Sequence, residues 1–509
     1  MPSIEQMLRQ AVADHQSGDL NAAASAYEQV LAKDPDNGDA THLLGLIRLQ
    51  TNDVDGALAL LLSAVRLRPE NGVFRFNLAL AQVAAERSGE AAESYRRSLE
   101  LNPQNAAAVN NLAVLLGEEG DLGAAEDVLR QGLARISGDI AMAVNLADVL
   151  CRKALPEQLL EAEALCREVL ARAPDMAKAH AVLAHSMSIG DRRGEAVPAL
   201  EQATVLEPDN ARYHEQLADL YAKMGDNAAA ETAARRSVEL DEGRARSAGI
   251  LGTALLGLNK IAEAIEWSRR AILLDPHGLD LSEAFAAANL YVAHLKGGDG
   301  AEAAQLVDLD NLVYPHEIAP PPGYDDVAAF NQALERAIRG HPSLQWNPSG
   351  YVTRSGAITG NVLLQPTGEF SAMEGAIRQG IDAFTKSLSD EPGHHFRRQL
   401  TRRYRMVMWA VILDQEGYLE THIHEGSWIS GAYYVSIPDF QDGRQEDHPG
   451  CIEFGRPAKH FEVDEGFPIR VVRPSDGRLV LFPSSMFHRT IPFQADAERI
   501  CISFNCFPY

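Results

Sequence analysis

Cysteine is scarce in this chain: five residues in 509, namely Cys151, Cys166, Cys451, Cys501 and Cys506. The number is odd and no two share a C-x-x-C spacing, so neither a disulfide framework nor a zinc ribbon is expected, and a reducing cytoplasm fits best. Positive charge is also short, with 46 Lys and Arg against 71 Asp and Glu and a formal net charge of −25. General nucleic-acid binding needs basic surface to displace counterions, so nucleic acid is not an expected partner, although a local basic patch stays possible. No apolar run reaches the roughly 18 residues of a membrane-spanning helix. The opening "MPSIEQMLRQAVADHQSGD" lacks the charged-then-apolar layout of a signal peptide, so no membrane partner is expected either. What remains is an ordinary globular composition, 46% hydrophobic, on a chain too long for one core.

The first three hundred residues repeat. Prolines stand at Pro35, Pro69 and Pro103, each 34 residues from the last, and after one lengthened unit at Pro174, Pro208 and Pro276. Ser137 and Glu242 occupy the two remaining slots. Twelve residues before each of these eight positions is an alanine: Ala23, Ala57, Ala91, Ala125, Ala162, Ala196, Ala230 and Ala264. Each unit reads as two amphipathic helices, as in "DATHLLGLIRLQTND" followed by "VDGALALLLSAVRLRPE", the second stopped by its proline. The small alanine lets the two helices approach closely. Such a 34-residue helix–turn–helix unit resembles the tetratricopeptide repeat over residues 4 to 278. The resemblance implies an all-α solenoid of about eight repeats, with "LDLSEAFAAANLYVAHLKGGD" from Leu279 as its capping helix.

Such solenoids commonly bind proteins or peptides in a concave groove. Eight residues after the proline slot lies a position that faces that groove in the family, and it holds Asn77, Asn111 and Asn145 in three successive repeats. A side-chain amide both donates to and accepts from one peptide unit, so stacked asparagines could hold an extended chain without reading its sequence. The set looks like the asparagine ladder of the O-GlcNAc transferase superhelix. Its competing reading is a row of polar residues facing water, and the ladder stops at Val182.

"VYPHEIAPPPGYDD" (313–326) breaks the helical periodicity and reads as an extended, proline-rich junction. The expected boundaries are a solenoid over 1–300, a junction over 301–324 and a second domain over 325–509. In the second domain "VAAFNQALERAIRG" and "FSAMEGAIRQGIDAFTKSL" read as helices. Beyond about residue 403 come short strands rich in Val, Ile, Tyr and Phe: "YRMVMWAVIL", "ISGAYYVSI", "CIEFG", "IRVV", "RLVLFP" and "RICISFN". That spacing predicts a jelly roll, a double-stranded β-helix with flanking helices. The run "HHFRRQLTRRYR" (394–405) is a basic island that reads as a solvated charged face or an attractor for an acidic substrate. His448 and His460 fall in a loop expected to be exposed.

The stretch "THIHEGSWISGAYYV" places His422 and His424 two apart, hence on one face if the backbone is extended. His488 follows in "LVLFPSSMFHRTIPF", and Arg499 opens "RICISFN" eleven residues later. These segments look like the 2-oxoglutarate–Fe(II) oxygenase domains often fused to tetratricopeptide repeats and are more distantly similar to prolyl hydroxylases. The resemblance covers about residues 325 to 509. It implies that His422 and His488 hold Fe(II), with free positions left for 2-oxoglutarate and O2. It implies that Arg499 anchors the far carboxylate of 2-oxoglutarate, a task suited to a planar guanidinium, with Arg489 or Arg405 as alternatives. Tyr434 matches the position where prolyl hydroxylases place a tyrosine on that carboxylate; its other reading is a packed strand aromatic. Most relatives carry a carboxylate where this chain has His424. Three ligand sets therefore stay open: His424 as third ligand, water in its place, or Glu425.

The expectation is an Fe(II)- and 2-oxoglutarate-dependent dioxygenase that hydroxylates a side chain of a protein or peptide captured by the repeats. Proline, asparagine, aspartate and histidine are all open as targets. The competing expectation is a non-catalytic scaffold whose β-domain has lost its chemistry. Nothing in the sequence marks an oligomer interface.

Overall fold

The computed structural model describes residues 3–153, 156–190, 192–275, 283–346, 353–364, 366–391, 394–398, 400, 403–441, 448–463 and 465–508. The chain forms two compact units, Met1–Glu207 and Pro208–Tyr509.

The first unit is helical throughout its described length. Its helices come in antiparallel pairs, beginning with Ile4–Gln16 and Leu20–Lys33, then Gly38–Gln50 and Val54–Leu67, and ending with Ala177–Ile189 and Arg193–Leu206. Local chemistry sets the ends. Asp19, Asn37, Asp53, Asn105 and Asp121 each cap a helix by accepting a backbone N–H from the first turn. The prolines Pro35, Pro69 and Pro103 follow directly on the last helical turn, where a missing N–H costs nothing. All eight periodic alanines, including Ala230 and Ala264 in the second unit, are 0% exposed. Their spacing therefore marks the closest approach between paired helices. Tyr27, Leu61 and Phe74 fill the layers around them.

The second unit begins with two more helical pairs, Ala211–Met224 with Asn227–Leu240 and Ala245–Gly257 with Ile261–Leu274. The expected cap is the helix Glu283–Lys296; Pro276 and residues 279–282 of its segment lie outside the described residues. These helices share a unit with the β-domain because hydrogen bonds tie them to it. Tyr291, 2% exposed, donates its hydroxyl to the Gly455 carbonyl at 2.6 Å. Lys296 Nζ donates to the Phe461 carbonyl. Gly455 adopts φ +96°, and a Cβ there would lie 2.1 Å from the Pro468 carbonyl, so only glycine fits this contact. The compact division falls within the repeats.

The β-domain contains β1 (Tyr314–Glu317), β2 (Gln345–Trp346), β3 (Thr353–Ile358), β4 (Tyr404–Leu419), β5 (Ile429–Ser436), β6 (Phe440–Gln441), β7 (Ile452–Phe454), β8 (Arg470–Val472), β9 (Arg478–Pro483), β10 (His488–Thr490), β11 (Gln494–Ala495) and β12 (Arg499–Pro508). Seven of them form one antiparallel sheet in the order β1-β9-β5-β12-β4-β3-β2. A smaller sheet has the order β10-β7-β8, and β11 pairs with β6. This is the two-sheet arrangement expected of a jelly roll.

The proline-rich junction is extended over Tyr314–Glu317, which pairs with β9 as the edge of the large sheet. Pro315 is tolerated there because an edge strand leaves one row of donors unpaired. The basic island is a solvated face only in part: Arg403 and Arg405 are exposed, whereas Arg397 and Arg398 are engaged within the fold. Arg397 is ion-paired with Asp308 and Glu391. Arg398 donates to the Ile272 and Asp275 carbonyls and to Glu283. These two arginines clamp the end of the repeats, while Gln399, Thr401 and Arg402 lie outside the described residues.

The two faces of the large sheet do different work. Along β12, Ile500, Ile502 and Phe504 alternate with Arg499, Cys501 and Ser503. On the first face lie helices Val327–Arg339 and Gly368–Ser387, with Phe330, Leu334, Phe370 and Phe384 fully buried; Tyr433 of β5 donates to Asn331 Oδ1 there at 2.6 Å. The opposite face lines the cavity.

Candidate metal centre

Each of the three histidines is placed by backbone pairing. His422 forms a two-way antiparallel bridge with His488: the His422 N–H donates to the His488 carbonyl at 3.1 Å, and the reverse bond is 3.0 Å. The His424 N–H donates to the Ser484 carbonyl at 3.0 Å. Behind it, Ser484 Oγ, Ser430 Oγ and Asn505 Oδ1 form a buried hydrogen-bonded chain with links of 2.7 Å. The i, i+2 spacing thus sets one imidazole against His488 itself and the other against Ser484, in the turn that leads to it. Ring centroids are 4.3 Å apart for His422 and His488, and 5.0 Å for each pair involving His424. One nitrogen from each ring lies within 4.8 Å of the others.

The tautomers of two rings follow from their hydrogen bonds. His422 Nδ1 donates to the Glu420 carbonyl at 2.7 Å, and His488 Nδ1 donates to the Met486 carbonyl at 3.0 Å. Each Nε2 then carries a lone pair, the form a metal needs. Burial pushes all three imidazoles below the ordinary histidine range, well below for His424 and His488, and their mutual proximity adds to the effect for those two. Three neutral donors converge. Glu425 beside them is exposed, at a turn closed by Gly426 with φ +74°, and does not line the cavity.

A cavity of about 440 Å³ contains all three histidines and Arg499. Gly431 also lines it; a Cβ there would come within 2.4 Å of the Phe504 ring. Arg499 is 1% exposed. Its guanidinium lies 5.0 Å over the Tyr434 ring, Nη1 reaches Cys501 Sγ at 3.8 Å, and Nε has no partner. Among the described residues no carboxylate pairs with it. The Tyr434 hydroxyl is likewise buried without a partner. Burial, partly opposed by Arg499, pushes this phenol up to about 12, so it stays protonated as a donor. An unpaired buried guanidinium costs several kcal/mol. An arriving carboxylate would satisfy both orphaned groups, so the residues present fit a metal and a dianionic ligand.

The alternative anchors are engaged elsewhere. Arg489 is held by Glu453, and Arg405 is exposed over the Phe507 ring. His448 and His460 are exposed, as expected.

The family comparisons agree with this geometry. Residues 407–505 match the family described as "Putative 2OG-Fe(II) oxygenase". Residues 8–72, 76–140, 190–244 and 215–278 match the tetratricopeptide repeat. The chain is a tetratricopeptide repeat protein with a C-terminal domain of that oxygenase family. No curated protein matches it. Among solved structures, a tetratricopeptide repeat protein from Parabacteroides merdae is 15% identical with a TM-score of 0.43, over 50% of this chain and 98% of that one. YrrB, described as a TPR protein with an unusual peptide-binding site, is 18% identical with a TM-score of 0.32, over 37% of this chain and 95% of its own. A mutant O-GlcNAc transferase from Thermobaculum terrenum is 30% identical with a TM-score of 0.25, over 26% and 27% respectively.

In the repeats of the first unit, the three asparagines have partners within the fold. Asn77 is buried and its amide nitrogen meets His42 Nε2 at 2.7 Å. Asn111 donates to the Tyr95 hydroxyl at 3.3 Å. Asn145 donates to Asn110 Oδ1 and accepts from Lys178 Nζ. Asn77 therefore offers little to a bound chain, while Asn111 and Asn145 are half-buried. Sequence reasoning missed Thr353, Thr359 and Asn361, which line the cavity from β3 and the segment after it. Thr359 and Asn361 accept N–H groups from Ala410 and Met408 of β4, a pairing with no local sequence signal.

Proposed function

We propose that the chain is an Fe(II)- and 2-oxoglutarate-dependent dioxygenase that hydroxylates a side chain of a protein or peptide held by its repeats. One observation carries the reading: three neutral imidazoles and one buried, unpaired guanidinium line the same cavity. His422, His424 and His488 would hold the metal. When bound, a ferrous ion supplies the O2 activation and one-electron chemistry that no side chain here can supply. Arg499 holds the far carboxylate of 2-oxoglutarate by charge-assisted bonds, and Tyr434 donates its hydroxyl to the same group. Trp409, whose ring meets His424 edge-on at 6.0 Å, and Phe482, 4.5 Å from His488, keep bulk water from the imidazoles. One oxygen of O2 enters a substrate C–H bond as hydroxyl; the other joins succinate as 2-oxoglutarate is oxidised with loss of CO2.

Tetratricopeptide repeats support protein or peptide capture. The scaffold reading drew on His424 replacing a carboxylate, yet that imidazole converges with the other two. The test is anaerobic addition of Fe(II) and 2-oxoglutarate to the full chain, followed by air. A visible charge-transfer band and then succinate are expected; absence of both refutes the proposal.

A further inference from the structure

His488 stands at the first position of the three-residue strand β10, opposite Phe454 at the last position of β7. Its own backbone N–H and carbonyl are spent on His422, so its register against β7 rests on bonds made by its neighbours. One of these is the Gly455 N–H, which donates to the Phe487 carbonyl at 2.9 Å. Gly455 is buried and follows β7 directly. Its own carbonyl accepts the Tyr291 hydroxyl from the helix Glu283–Lys296. Two hydrogen bonds therefore lead from Tyr291, through Gly455, to the residue before His488.

Side chains reinforce this path. The Phe487 ring lies 6.3 Å from the Tyr291 ring and 5.8 Å from that of Phe461, whose carbonyl accepts Lys296 Nζ of the same helix. The turn between β9 and β10 is held from both sides. Inward, the Ser484 carbonyl accepts the His424 N–H and the Met486 carbonyl accepts His488 Nδ1. Outward, Ser485 Oγ meets His395 Nε2 at 3.3 Å, and Arg398 of the same segment pairs with Glu283 at the start of the helix that carries Tyr291. Burial pushes the Tyr291 phenol up, so it remains a donor near neutral pH.

We propose that Tyr291 is a positioning residue of the metal centre: by fixing the Gly455 peptide it keeps His488 in the register at which the three imidazoles converge. The helix Glu283–Lys296 then helps to set metal affinity although it supplies no ligand. Without the hydroxyl, the buried Gly455 carbonyl loses this donor, and the end rung of a three-residue pairing opens more often in the metal-free chain. Affinity falls in proportion to the time the site spends unassembled. The proposal rests on the reading in which His422, His424 and His488 hold the metal.

Tyr291→Phe keeps the ring contacts and removes only the hydroxyl. Its control is Tyr433→Phe, which also loses a phenol bond of 2.6 Å, to Asn331 on the face of the large sheet away from the cavity. Both variants are made in the full-length chain and compared by thermal unfolding. Fe(II) alone, without 2-oxoglutarate, is titrated anaerobically in competition with a coloured chelator. Amide hydrogen exchange of residues 452–456 and 486–490 is followed in the metal-free chain. Tyr291→Phe is expected to weaken Fe(II) about tenfold, within reach of one buried hydrogen bond, and to speed exchange in both segments. Tyr433→Phe, with a comparable loss of melting temperature, is expected to leave Fe(II) affinity and exchange there at their wild-type values. A merely structural tyrosine predicts that the two variants behave alike. Unchanged Fe(II) affinity or unchanged exchange in Tyr291→Phe, or equal changes in the two variants, overturns the proposal. A wild-type chain that binds no Fe(II) sinks the ligand reading and the positioning role with it, whereas wild-type binding that Tyr291→Phe does not alter sinks the positioning role alone.

Discussion

Replacing Arg499 with methionine tests the site through two effects of opposite sign. The guanidinium is 1% exposed, has an unpartnered Nε and faces no carboxylate among the described residues. Its compensation is the Tyr434 ring at 5.0 Å, a cation–π contact worth about 0.5–2 kcal/mol. Removing such a poorly compensated buried charge in favour of an apolar side chain of similar length is expected to stabilise the ligand-free β-domain by about 1–4 kcal/mol. The same change removes two charge-assisted bonds to the co-substrate, each about 1.5–3 kcal/mol, and should weaken 2-oxoglutarate by roughly 10²- to 10⁴-fold. Iron affinity should change far less, because no histidine depends on Arg499 for a hydrogen bond. Thermal unfolding followed by tryptophan fluorescence, which Trp409 and Trp428 report from this domain, reads the first effect. An anaerobic titration of the chelate band reads the second. A structural arginine predicts the reverse pattern, so lower stability with unchanged 2-oxoglutarate affinity refutes the assignment.

Three further outcomes follow from the same geometry. His488→Ala should abolish iron retention measured by metal analysis, and His424→Ala should weaken it strongly while Glu425→Gln does not; equal retention in the two His424 and Glu425 variants would remove His424 from the ligand set. Burial holds the three imidazoles neutral in the fold, so the unfolded chain binds more protons below their ordinary value. Apo stability should therefore fall as pH drops through about 6.5, by up to ~4 kcal/mol per unit for three groups acting together, and denaturant melts that do not vary with pH there would contradict it. Ala125→Leu should cost about 1–3 kcal/mol by overpacking the closest helix approach of its repeat, seen as loss of helical signal on heating, with the chelate band unaffected.

Much of the fold was legible because its signals are local. The eight alanines mark one steric requirement repeated along the chain, and all are fully buried. The strands after residue 403 declare themselves by branched and aromatic runs. Strands β1 and β3 do not: one is four residues containing Pro315, the other is "TRSGAI", and pairing with β9 and β4 makes them extended. The asparagine row shows the same limit from another side. Periodicity told which helix face carries Asn77, but its partner His42 sits 35 residues away in the preceding repeat.

The candidate site divides along this line. His422 and His424 were readable together because alternation along an extended backbone is a property of neighbours, and His488 and Arg499 because family order carries them. Arg489 was readable only as a spare anchor. Its role depends on whether a carboxylate meets it, and that carboxylate is 36 residues away on β7, shared with Arg456. Charge balance inside a cavity is a sum over walls from separate segments, so no window of sequence contains it. A net charge of −25 even points the wrong way: it describes the outer surface, while the described residues lining the cavity include the buried Arg499 and no acid. Recognition of an anion by an acidic protein is consistent on these terms, because burial and pairing, not total charge, set the field a substrate meets.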